Sequence, residues 1–92
     1  MRSKNSRIRK NAISILERAY SPDNSYYLKN YERQMDYAMR GGQVDYRDRE
    51  VAKGFRIAAR IARAEKMLRD IGLEHYINEC GTLKVSPIVR FM

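Results

Sequence analysis

Apolar residues recur at three- and four-residue steps through three stretches of this chain, and each stretch predicts a helix. In the first, Ser6 to Tyr20, the stripe is Ile8, Ala12, Ile15, Leu16 and Ala19, while Lys10, Ser14, Glu17 and Arg18 face outward. Ser21-Pro22-Asp23-Asn24 interrupts it. Pro22 cannot continue a helix but suits the first turn of a new one, with Ser21 or Asn24 as its cap. The second helix runs to Arg40 and ends at Gly41-Gly42, on a stripe of Tyr27, Leu28, Tyr31, Met35, Ala38 and Met39.

The third helix, Val44 to Ile71, organises the rest. Asp45 or Asp48 opens it and Gly72 closes it, and acids early with Lys66 and Arg69 late suit the helix dipole. Its apolar face reads Val51, Phe55, Ala58, Ala59 and Ala62, flanked by Ile57, Ile61 and Leu68. Gly54 costs about 1 kcal/mol relative to alanine in a helix interior. Spaced by four with Ala58 and Ala62, however, it makes a smooth groove for close packing against the first helix or a second copy of the chain.

Beyond Gly72 no helical period persists. Leu73 to Ile77 fits a helical turn or a strand, Thr82 to Val85 has strand character, and Cys80-Gly81 reads as a turn between them. Pro87 argues against a central strand, and the apolar end, Ile88, Val89, Phe91 and Met92, is expected to tuck back over the helices. The pattern therefore predicts one mainly all-α domain over residues 1–92: a small three-helix bundle, with a basic arm at 1–7 and a C-terminal extension at 73–92 holding a helical turn or a β-hairpin.

Charge sharpens this picture. Nineteen Lys and Arg against eleven Asp and Glu leave +8, a field that favours polyanionic partners. Five cations, Arg49, Lys53, Arg56, Arg60 and Arg63, fall within about 80° on the third helix at about 100° per residue, opposite Val51 and Ala62. Four of the five are Arg, whose planar fork takes phosphate or carboxylate with two hydrogen bonds. Arg2, Lys4, Arg7, Arg9 and Lys10 add a basic N-terminal stretch of the kind that settles on phosphates as a flexible arm. On the second helix Tyr26, Lys29, Arg33, Tyr37 and Arg40 interleave aromatic and cationic side chains. That row suits stacking on an exposed strand, or anchoring to a protein partner, since Tyr and Arg are enriched at binding hot spots.

No catalytic constellation and no phosphate-binding glycine motif is present, and the single Cys80 and His75 do not make up a zinc site. The expectation is a protein with no enzymatic activity, cofactor or metal. The N-terminal residues are too polar for a secretory signal, and no apolar run approaches a membrane span, so a cytoplasmic setting without a membrane partner is expected. Two functions remain open. One is a nucleic-acid-binding accessory protein gripping DNA or RNA mainly by its backbone. The other is a small regulator or inhibitor that meets an acidic protein surface through Tyr26, Arg33, Tyr37 and Arg40. Base-specific readout would fall to the polar start of the third helix, Gln43 to Arg49. A homodimer through the small-residue groove, or through Tyr31 and Met35, fits either function.

Overall fold

Nothing between Arg2 and Ala19 breaks a helix, and its arginines, lysines and alanines favour one. The computed structural model describes residues 2–89, with side chains from Lys4 onward; the apolar end at Phe91 and Met92 falls outside them, as does the side chain of Arg2. Helix α1 spans Arg2–Ala19, so the basic stretch expected as an arm is the first turns of a helix. Among its described side chains the first buried is Ala12, and everything from Lys4 to Asn11 is exposed except the half-buried Ile8. This projecting segment contributes to a radius of gyration of 15.2 Å, against about 12 Å for a compact chain of this length.

A 3-10 turn at Pro22–Asn24 leads into α2, Ser25–Met39. Asn24 closes the helix before it: its side-chain amide donates to the Arg18 and Ala19 carbonyl oxygens at 3.0 and 3.2 Å. These are two of the acceptors a helix end leaves open. A loop through Gly41-Gly42 then carries the chain to α3, Arg49–Asp70.

Helix α3 starts later than Val44. Asp48 is its N-cap, in extended conformation, with its carboxylate accepting from the Glu50 and Val51 amides at 2.8 and 3.2 Å. Asp45 turns inward on its own loop, accepting from the Arg47 amide at 3.0 Å. Short acidic side chains compete for backbone amides in this way outside helices. Gln43 to Asp48 is therefore loop, and a polar helix start aimed at base edges does not form there.

The buried positions of α3 are Val51, Gly54, Ile57, Ile61, Ala64 and Leu68. Ala59 and Ala62 are exposed, so the apolar face lies rotated from the expected alanine stripe. The larger side chains decide this, because burying Ile and Leu returns about 1.5–3 kcal/mol each and an alanine methyl far less. Ala12, Leu16 and Ala19 of α1 close over Ile57, Ile61, Ala64 and Leu68, with Leu16 and Leu68 fully buried.

The partner of Gly54 is α2. An added Cβ there would stand 2.7 Å from the Tyr27 carbonyl oxygen and 3.3 Å from the Tyr31 Cβ, so glycine permits this crossing. Ala58 and Ala62 instead border an open cleft of about 290 Å³ beside Leu28 and Tyr31. Along α2 the expected core stripe holds only in part. Tyr27 and Leu28 pack on the core, no residue is fully buried, and Met39 is 84% exposed.

The extension is an antiparallel hairpin, β1 Leu73–Ile77 and β2 Leu83–Pro87, and the helical-turn alternative for Leu73–Ile77 is not realised. Helix makes up about two thirds of the described residues, a mainly helical unit with a small two-stranded sheet. Gly81 takes φ +80° in the tip of the hairpin, a conformation that favours glycine. Leu73, Leu83 and Val85 lie against the helical core, and Pro87 ends an edge strand, where its missing N–H costs no ladder bond. Ile88 donates to the Gly72 carbonyl at 3.0 Å, while Val89 remains 66% exposed.

Candidate polyanion-binding groove

Because the core residues of α3 centre about 100° round the helix from the cations, the ridge stands beside the helix seams rather than on the far side of the molecule. Two depressions result. One, about 350 Å³, lies between α1 and α3 and is lined by Ile15, Arg18, Ala19, Arg60 and Arg63. The other, about 140 Å³, lies under the 3-10 turn and is lined by Asn24, Lys53, Arg56, Ile57 and Arg60. Arg60 borders both, and the two adjoining cationic depressions, with Ile15, Ala19 and Ile57 among their lining residues, are together termed the trough.

From Ile15 to Asn24, the neighbours on α3 move from Arg63 back towards Lys53, so α1 runs against α3. Arg18 thus joins the cations from a second helix. The sequence marked Arg18 only as outward-facing; its role depends on which side of α1 meets α3, and no local spacing encodes that. Arg7 and Lys4 precede it by three and four helical turns, within about 40° of its direction, and both are exposed. Arg9 points the opposite way at about 180° and Lys10 to the side at about 80°, so neither joins the trough. Arg49 stays exposed on the first turn of α3 and lines neither depression.

Six carboxylates are engaged away from these depressions. Among the described residues the ion pairs are Arg40–Asp36 at 3.2 Å and Lys66–Asp70 at 3.8 Å, and His75 Nε2 stands 4.0 Å from a Glu65 carboxylate oxygen. Asp48 caps α3, and Glu50 accepts a 2.7 Å hydrogen bond from the Tyr26 hydroxyl. That bond raises the Tyr26 pKa, the hydrogen bond to the anionic acceptor contributing most and its charge next. Arg18, Lys53, Arg56, Arg60 and Arg63 form none of these pairs. Lys53 instead sits over the Tyr27 ring, 4.3 Å from its centroid, an attraction that leaves the ammonium accessible.

The candidate partner residues of α2 separate. Tyr26 and Arg33 share a groove of about 340 Å³ with Lys29, set off from the trough by the Tyr26–Glu50 bond. Tyr37 lies across Gly42, where an added Cβ would stand within its ring. Arg40 is engaged by Asp36. On the far side His75 accepts from or donates to the Tyr20 hydroxyl at 3.2 Å, in a part-buried cluster with Glu65. Both partners meet the same ring nitrogen, Nε2, so the geometry is not that of a proton relay through the imidazole.

No protein family matches this chain, and no curated protein or solved structure is detectably similar to it. No helix among the described residues is long and apolar enough to cross a membrane.

Proposed function

We propose that this protein binds nucleic acid through the phosphate backbone, as an accessory protein rather than an enzyme. One observation carries the reading: Lys53, Arg56, Arg60 and Arg63 of α3 and Arg18 of α1 converge on a single trough without a carboxylate partner. Four forked guanidinium groups and one ammonium suit a row of phosphates. The apolar floor holds the aliphatic stems of the arginines while their heads reach water. Packed helices fix the backbone from which each cation projects, so only side-chain ordering remains for the ligand to impose.

Fluorescence anisotropy on a labelled oligonucleotide tests this as salt is raised. Neutralising about five duplex phosphates gives a log–log slope near −4.5. Reversing two charges, Arg56→Glu with Arg60→Glu, removes binding while circular dichroism and melting temperature hold. A salt-insensitive complex, or full binding by that variant, refutes the proposal.

The second reading, a small regulator that docks on an acidic protein surface, draws on the exposure of Tyr26 and Tyr37, at 52% and 55%, and of Met39 on α2. A stoichiometric partner retained from nuclease-treated extract, and lost on Tyr26→Ala with Arg33→Ala, favours it over the first.

A further inference from the structure

Resting on that reading, we infer that the nucleic acid is single-stranded, laying its phosphates on the trough and stacking a base on Tyr26 of α2. Sites for single strands join cations to exposed rings, and each stacked base strengthens binding by about 5- to 150-fold. No residue lining the trough is aromatic, so a stacking ring must stand beside it. Tyr26 meets that need. Lys53 Nζ lies 4.3 Å from the Tyr27 ring centroid, and the Tyr26 centroid lies 5.3 Å from the same ring centre. The Tyr26 ring is therefore within about 10 Å of the ammonium, a span of about three nucleotides at the ~3.4 Å rise of a stacked strand.

Tyr27 itself is taken, packed on the core with Lys53 over its ring. Tyr26 is 52% exposed and opens on the groove that Ser25, Lys29, Asn30 and Arg33 also line. That lining supplies two further cations for phosphate, polar side chains for ribose or base edges, and no carboxylate. Tyr37 and Tyr46, equally exposed, are placed otherwise: one lies across Gly42 and the other meets Phe55. Glu50 holds the Tyr26 hydroxyl at 2.7 Å, which orients the ring but sets one negative charge beside the strand. A duplex keeps its bases stacked on one another, and extruding one is costly. It would meet the cations alone.

The test uses the full chain and two labelled probes: a DNA strand of about 16 nucleotides, the upper end of single-strand site sizes, and the same strand annealed to its complement. Anisotropy should show the strand bound more tightly than the duplex. Tyr26→Ala should weaken the strand by about 5- to 150-fold and leave the duplex unchanged. Stacking releases no counterions, so that variant keeps the log–log salt slope, whereas Arg60→Ala flattens it by about 0.7. Tyr26→Phe keeps the ring and should retain the strand affinity. Glu50→Gln keeps an acceptor for the hydroxyl, removes the charge and should tighten strand binding. Tighter binding of the duplex, or equal effects of Tyr26→Ala on both probes, overturns the stacked single strand but leaves nucleic-acid binding by the trough standing. Failure of the parent to bind either probe overturns the proposed function itself.

Discussion

Replacing Gly54 with alanine should destabilise this domain, against the usual direction for such a change. In a helix interior glycine to alanine gains about 1 kcal/mol. Here the new Cβ would lie 2.7 Å from the Tyr27 carbonyl oxygen and 3.3 Å from the Tyr31 Cβ. Comfortable carbon contacts begin near 3.5 Å, so α2 must retreat by roughly 0.7–0.8 Å from α3. The obstructing oxygen belongs to helical backbone and cannot swing aside as a side-chain tip would. Retreat would also loosen the Tyr31–Phe55 edge contact and lift Tyr27 from beneath Lys53. Overpacking of this kind costs about 1–3 kcal/mol, which outweighs the propensity gain and leaves a net loss near 1 kcal/mol. For a domain of this size that lowers the melting temperature by about 4–8 °C. Thermal unfolding by circular dichroism measures it. Ala59→Gly, at an exposed position of the same helix, calibrates the propensity term with its own loss of about 1 kcal/mol. A rise of several degrees for Gly54→Ala would show that α2 does not press on α3 at this point.

Two further changes probe the local devices. Asp48→Ala strips the cap that accepts from Glu50 and Val51 and should cost about 1 kcal/mol; a melting temperature unchanged within error would place the start of α3 elsewhere. Burial first, then the charges of Glu65 and Glu32, raises the Tyr20 pKa above its ordinary value of 10.0. The folded state thus favours the neutral phenol, a contribution complete below about pH 10 and lost as pH climbs through the raised value. Urea unfolding between pH 8 and pH 11 should accordingly show a steeper alkaline loss for the parent than for Tyr20→Phe, and parallel curves would argue against it.

What the sequence determined by itself was local. Glycine and proline placed the breaks, the three- and four-residue periods placed three helices, and the spacing from Arg49 to Arg63 aligned the cations on one side of α3, since 3.6 residues per turn requires nothing but the chain. The start of α3 was legible only to within a few residues, because Asp45 and Asp48 both look like caps and only the backbone path chooses Asp48. Which face of α3 is buried was decided by tertiary packing. Ile57, Ile61 and Leu68 compete with a stripe of small residues for the core, and the larger apolar area wins once α1 arrives to cover it. That rotation brings the cations alongside the α1 seam, where Arg18 completes a trough from 35 to 45 residues away along the chain. No periodicity within one helix encodes a groove shared by two.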